Sequence, residues 1–251
     1  MNTLAVIPAR YASTRFPGKP LVTIGGKTMI QRVYEQVKLA DKVDHIVVAT
    51  DDQRIFDYVK KIGGAVQMTN SNHPSGTDRC AEVAKQLSDF ELVINIQGDE
   101  PFIQPNQIND LITAFQQKEA EACGIGTMIK IFESEEDLFN PNVVKVVKGV
   151  NNHALYFSRQ AVPFLRGIDH EEWIKHQDYY KHIGMYIFRS KVLQEITKLP
   201  IGKLEKAESL EQLRWLENGF SIYTTITKFE TFGIDTPEDL LNWQNRNNQL
   251  K

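Results

Sequence analysis

Short apolar, β-branched runs recur along the first hundred residues, at 4–9 (LAVIPA), 45–50 (HIVVAT), 65–69 (AVQMT) and 92–97 (LVINIQ). Helical spacing separates each from the next, over 29–40, 52–62 and 77–87, and a further helix is predicted over 105–117. Strands that are apolar on both faces must be covered on both, and strands joined through helices lie parallel. The chain is therefore predicted to be α/β, with a doubly wound, mostly parallel sheet. Asp51, Ser75 and Gln104 stand near helix starts, and of these Asp51 and Ser75 are good cap types.

From Cys123 onward the order changes. Strands are predicted at 125–131, 143–147 and 154–157, followed by a polar, aromatic stretch to Lys181. A strand over 182–188, helices over 190–197 and 207–218, a strand over 221–226 and a last helix from Thr236 complete the pattern. The chain reads as one domain over 1–251, with a smaller mixed β region inserted at about 125–190 as a subdomain or dimerisation region.

A formal net charge of -3 argues against binding nucleic acid through a general basic field, so the cations must act locally. Cys80 and Cys123 have neither CxxC spacing nor a disulfide framework, and they suit a reducing compartment as buried filler. No signal-peptide pattern opens the chain and no apolar run approaches 18 residues, so the expectation is a cytoplasmic protein with no membrane contact.

The segment after the first strand, RYASTRFPGKPL, places Arg10, Arg15 and Lys19 in one loop, stiffened by Pro17 and Pro20 and loosened at Gly18. Cations clustered at the carboxyl end of a strand in an α/β sheet suggest a site for an anion, phosphorylated in most such settings. Familiar phosphate motifs do not account for it. GGKT (25–28) ends like a Walker A loop, but Leu21 stands where the first glycine belongs. GIGTMI (124–129) lacks the third glycine of a dinucleotide fingerprint and reads as a packed strand, and HEEWIKH (170–176) spaces its histidines six apart rather than the four a zincin needs.

Two acidic segments remain. NIQGDEP (95–101) closes an apolar strand with Gln97, Gly98, Asp99 and Glu100, and FGIDTPEDL (232–240) puts Asp235 before a Thr-Pro helix start. Asp235 reads equally well as a turn carboxylate, since Thr236 and Pro237 fit the cap and first helical positions. Two carboxylates at strand ends opposite a cationic loop suit Mg²⁺ with a polyphosphate, hence phosphoryl or nucleotidyl transfer.

Taken together, IPARYASTRFPGKPL, VVATDD, HPSGTDR, NIQGDEP, FNPNVVKVV, ALYFSRQAVP, HIGMYIF, ESLEQLRWLENG and GIDTPEDL resemble the 3-deoxy-manno-octulosonate (Kdo) cytidylyltransferases, from residue 4 to about 241. The opening loop alone is shared by many sugar nucleotidyltransferases, whereas QGDEP with SGTDR and LEQLR in this order is more specific. Phe16 departs from the usual Leu, and residues 166–180 match no motif.

The resemblance implies a Rossmann-like nucleotidyltransferase fold and transfer of CMP from CTP to the anomeric hydroxyl of Kdo, with Mg²⁺ as cofactor. It puts Arg10 and Lys19 on the triphosphate and Asp99 and Asp235 on the metal. Ser75 and Gly76 would lie near the cytosine, with Ser75 equally able to be a plain helix cap. Arg15 and Arg79 would touch phosphate or the sugar carboxylate, or stand solvated. Gln97, Arg159, His182, Tyr186, Glu211 and Gln212 match sugar-contacting positions; read as residues alone, Tyr186 suits a core, His182 a structural role, and Glu211 and Gln212 an exposed helix face. The family also suggests a homodimer through the middle region. A CMP-sialate synthetase, another sugar nucleotidyltransferase and a non-catalytic nucleotide-sugar binding module remain as alternatives.

Overall fold

The computed structural model describes residues 1–12, 16–230, 233–234 and 236–248. Arg15 and Asp235, both expected at the site, lie outside the described residues. The chain divides into two compact units, residues 1–109 with 230–251, and residues 110–229.

Unit 1 starts with β1 (Thr3–Ala9), a hairpin of β2 (Thr23–Ile24) and β3 (Lys27–Thr28), and α1 (Met29–Lys38). There follow β4 (His45–Thr50), α2 (Gln53–Lys61), β5 (Val66–Met68), α3 (Gly76–Gln86), β6 (Leu92–Asn95) and the start of α4 (Pro105–Phe115). β1 pairs in parallel with β4 on one side and β6 on the other, and β5 continues beyond β4. The central strand is buried from Thr3 to Ile7, as its uninterrupted apolar run requires. The GGKT segment is a hairpin turn, and its Thr28 caps α1 by accepting from the Gln31 N–H at 3.3 Å.

Helix starts show one local correction. Asp52, not Asp51, caps α2, its carboxylate accepting from the Arg54 N–H at 2.9 Å. Asp51 is drawn away by the buried Arg79, whose Nη2 donates to it at 2.9 Å.

Unit 2 holds β7 (Ile125–Ile131), α5 (Glu135–Phe139), β8 (Lys145–Lys148), β9 (Ala154–Ser158) and α6 (Trp173–His176). Then come β10 (Tyr180–Arg189), α7 (Ser190–Ile196), α8 (Lys203–Glu208), α9 (Gln212–Glu217) and β11 (Ile222–Ile226). β11 runs parallel to β7, while β7–β10, β10–β8 and β8–β9 are antiparallel, giving the mixed region that the changed order beyond Cys123 predicts. GIGTMI lies along β7 as a packed strand, with Phe115 and Ile187 leaving no room for a side chain at Gly126. Cys80 and Cys123 are buried free thiols.

The helix expected over 207–218 is in fact two, broken at Ser209 with φ of 53°. The break has a side-chain cause. Glu208 ends α8 so that its carboxylate accepts from Ser158 Oγ at 2.8 Å and the Arg159 N–H at 2.9 Å, while its carbonyl takes Arg159 Nε at 2.7 Å. The last helix, α10 (Pro237–Asn248), belongs to unit 1 and starts as expected, with Thr236 and Asp239 exchanging hydrogen bonds at its first turn.

Candidate active site

In unit 1 the loop after β1 folds back on itself. The Gly18 N–H donates to the Tyr11 carbonyl at 2.9 Å, and the Tyr11 ring lies so close that a Cβ at Gly18, already left-handed at φ 72°, would meet it at 3.0 Å. Only glycine satisfies both conditions. The turn delivers Lys19 into a short 3₁₀ segment, where Nζ pairs with Asp99 Oδ2 at 2.6 Å. Asp99 itself arrives by a tight turn after β6, made possible by Gly98, whose added Cβ would stand 2.8 Å from the Pro8 carbonyl oxygen.

These two turns line a cavity of about 420 Å³ at the carboxyl ends of β1 and β6, bounded by Pro8, Arg10, Lys19, Gly76, Gln97 and Asp99, among others. Arg10 is exposed and, among the described residues, makes one long contact, Nη1 to the His73 carbonyl at 3.5 Å, so these residues leave its guanidinium open to an anion. Gly76 opens α3 against Pro8, at 3.2 Å from a built Cβ, and lets the chain approach closely there. Ser75 is the helix cap: its Oγ accepts from the Asp78 N–H at 3.2 Å and donates to Asp78 Oδ2 at 2.6 Å. That double commitment occupies the hydroxyl hydrogen a base contact would use.

Arg79 is placed otherwise than as a solvated or substrate-facing cation. It is fully buried, with its guanidinium on Asp51 and on Thr69 Oγ1. Its position on α3 turns it toward the sheet, where a charge must be paired to be tolerated, so it braces the helix rather than the cavity. Beside it, His73 Nε2 bonds Glu82, a contact absent from the sequence reading because nothing in HPSGTDRCAE marks two residues nine apart as partners.

The Asp99 carbonyl also accepts from the Ile234 N–H at 3.0 Å, so the segment leading into Asp235 runs beside the Asp99 turn. Asp99 presents a hard, acceptor-only oxygen donor to the cavity. Among the described residues no cluster of three or more His, Cys, Asp or Glu is placed to hold a metal.

In unit 2 the structure brings together His182, Tyr186 and Glu211, from strand and helix. The register of β10 against β7 slips between Ile183 and Tyr186: Ile183 faces Met128, yet Tyr186 already faces Thr127. Gly184 and Met185 form the extra loop, so His182 and Tyr186 come to adjacent positions on one face, with ring centroids 5.1 Å apart. Thr127 fills the bulge, its Oγ 2.8 Å from the Met185 carbonyl and 2.9 Å from His182 Nε2.

Burial sets the protonation of this cluster. His182 keeps some accessible area, but protein encloses its ring closely enough to push its pKa down to about 3, so it is neutral. The Tyr186 hydroxyl is driven well above its ordinary range, first by burial and then by the charge of Glu211, and it has no hydrogen-bond partner among the described residues. Gln212 is buried rather than on an exposed helix face, and Glu211 is half-buried, with Oε1 accepting from Arg214 Nη2 at 3.2 Å. Arg159 donates through Nε to the Glu208 carbonyl, through Nη1 to Pro141 at 3.0 Å and more weakly through Nη2 to Ser209. Its charge is thus held by carbonyls. Lys145, beneath it, is also buried on carbonyls, of Asn140 at 2.8 Å and Val143 at 2.7 Å, and burial lowers its pKa, with the nearby Arg159 adding to the effect.

A family profile described as cytidylyltransferase matches residues 4–226. The chain is 54% identical over 245 residues to a 3-deoxy-manno-octulosonate cytidylyltransferase of Parabacteroides distasonis and 55% identical over 244 residues to one of Bacteroides thetaiotaomicron, covering 96% of each chain in both cases. A solved CMP:2-keto-3-deoxy-manno-octonic acid synthetase complexed with CTP is 39% identical and superposes with a TM-score of 0.91 over 100% of both chains. The 4-diphosphocytidyl-2C-methyl-D-erythritol synthase of Anaerococcus prevotii, at 14% identity and a TM-score of 0.62 over 99% of this chain and 96% of its own, shares the fold alone. The doubly wound α/β fold expected from the strand pattern is the one these comparisons show.

Proposed function

Because the chain belongs to the 3-deoxy-manno-octulosonate cytidylyltransferase family, we propose that it transfers CMP from CTP to the anomeric hydroxyl of Kdo, releasing pyrophosphate. The observation that carries this reading is the cavity at the carboxyl ends of β1 and β6, where Arg10, Lys19 and Asp99 meet glycine turns that admit a triphosphate closely.

The 2-hydroxyl oxygen of Kdo attacks the α-phosphorus of CTP. The new O–P bond forms as the bond to the β-phosphate bridging oxygen breaks, and the hydroxyl proton is lost to solvent. No protein nucleophile is required. Arg10 and Lys19 neutralise the departing pyrophosphate, Lys19 exchanging its Asp99 partner for phosphate oxygen. In unit 2, Arg159 offers charge to the sugar carboxylate, while Tyr186, His182, Glu211 and Gln212 offer hydrogen bonds to hydroxyls. Mg²⁺ on Asp99 and Asp235 would acidify the attacking hydroxyl and stabilise charge on the α-phosphoryl group. The run of Ile234 beside Asp99 supports that pairing.

We further read the protein as a cytoplasmic homodimer joined through unit 2. CTP is supplied in the cytoplasm, no helix among the described residues is long and apolar enough to cross a membrane, and unit 2 exposes Phe139, Leu155 and Phe164. Sedimentation at micromolar concentration should give twice the chain mass; a monomer would sink the dimer. For the reaction, pyrophosphate should appear only when CTP, Mg²⁺ and Kdo are mixed with the protein. Turnover of N-acetylneuraminate in place of Kdo would move the protein to another sugar acid.

A further inference from the structure

The bulge in β10 brings backbone carbonyls to Thr127. Two of them, from Ile183 at 3.3 Å and Met185 at 2.8 Å, converge on the hydroxyl of Thr127, and His182 Nε2 approaches the same oxygen at 2.9 Å. Thr127 is fully buried, so no water can take over these contacts from outside. A hydroxyl has one hydrogen to give. If that hydrogen went to His182, the oxygen lone pairs would face two carbonyl oxygens in a buried site, which is repulsive. Donated to the Met185 carbonyl, it leaves a lone pair for which His182 must supply the proton.

We propose that Thr127 is a positioning residue that holds His182 as its Nε2–H tautomer, leaving Nδ1 as a bare acceptor for a hydroxyl hydrogen of the sugar acid. Nδ1 receives no hydrogen bond from any described residue. The ring is further fixed edge-on to Phe157, at 5.3 Å between centroids, and tilted to Tyr186. An acceptor nitrogen so placed disfavours a sugar position that carries no donor, because a bound sugar that covers the lone pair without supplying a hydrogen leaves it unpaired. The assignment of the sugar as ligand rests on the function proposed above; the tautomer does not.

Long-range ¹H–¹⁵N spectra of the ligand-free protein, with the His182 signal assigned by its loss in His182→Gln, should show the Nε2–H pattern. The opposite tautomer in the wild-type protein would overturn the proposal without any change at Thr127. Thr127→Val, which keeps the shape and removes the hydroxyl, should abolish the fixed pattern and raise KM for Kdo about tenfold with kcat within about twofold, while Thr127→Ser restores both. A Val variant with the wild-type nitrogen shifts, or a Ser variant as impaired as Val, would remove Thr127 from this role. A normal KM for Kdo in His182→Gln, with the Nε2–H pattern present in the wild type, would instead remove His182 from the sugar site and overturn the acceptor role of Nδ1.

Discussion

In unit 1 the candidate nucleotide groups ride on loops that follow parallel strands, and Lys19 and Asp99 neutralise each other at 2.6 Å; in unit 2 the candidate sugar groups lie within an antiparallel strand and at a helix start, where His182 and Tyr186 are neutral. The first region can exchange partners. An ion pair at the rim of a cavity gives up little when phosphate replaces the carboxylate and a cation replaces the lysine. The second region has already been desolvated during folding. Tyr186 carries a hydroxyl without a partner among the described residues, and a ligand that supplies one recovers a cost the fold has already met. On the proposed reading, charge would provide the chemistry in one region and preorganised neutral groups the selection in the other.

The largest effect should come from the charges of the proposed metal site. Asp99→Asn keeps the shape and should lower turnover by about 10³ or more, as should Asp235→Asn, with the double variant losing little beyond either single one. Steady-state pyrophosphate release, with far-UV circular dichroism to confirm folding, decides this. Near-normal turnover of Asp235→Asn at saturating Mg²⁺ would leave the metal on Asp99 and another group, such as Glu100. Next, Lys19→Met removes charge and keeps the aliphatic stem, and turnover should fall about 10²-fold. Unchanged turnover would make Lys19 a partner of Asp99 and nothing more.

A smaller effect, of a different kind, is expected in unit 2. Tyr186→Phe deletes a buried hydroxyl without a partner, so the free protein should gain up to about 1 kcal/mol, while KM for Kdo rises about tenfold and kcat changes little. Thermal unfolding with and without the sugar measures both sides. If the variant is destabilised, the hydroxyl has a partner in the free protein and the contrast between the regions weakens.

The smallest effect is on pH dependence. His182 has a folded pKa of about 3, below its ordinary 6.5, so the unfolded chain takes up a proton first as pH falls. The contribution is therefore whole above about pH 6.5 and is lost on acidification toward pH 3, at no more than about 1.4 kcal/mol per pH unit. Denaturant midpoints at pH 7 and pH 5 should diverge less in His182→Gln than in the wild type. Glu82 of unit 1 is held below its ordinary pKa by the Asn70 N–H and by His73, despite burial. Its share is whole above the ordinary glutamate value of 4.5 and is lost as pH falls from there through the lower folded value.

The amino-acid sequence by itself determined the parallel sheet of unit 1, the cationic loop after β1 and the acidic turn after β6. These rest on short-range causes: strands apolar on both faces, a left-handed glycine at 18, a close approach at 98, and carboxyl-end loops that the βαβ order places together. Even there, Asp51 and Asp52 exchanged roles, because the choice depended on Arg79, some 28 residues away. Only the tertiary structure decided the rest. HIGMYIF reads as one regular strand, and nothing local marks the slip that looped out Gly184 and Met185 and set His182 beside Tyr186. Thr127 had no visible claim, since its partners lie 55 to 58 residues along the chain. The helix over 207–218 was broken by Arg159 and Ser158 taking hold of Glu208. Periodicity records which face of an element is buried, whereas the pairing of buried polar groups is settled by which elements meet, and that is a property of the packed fold.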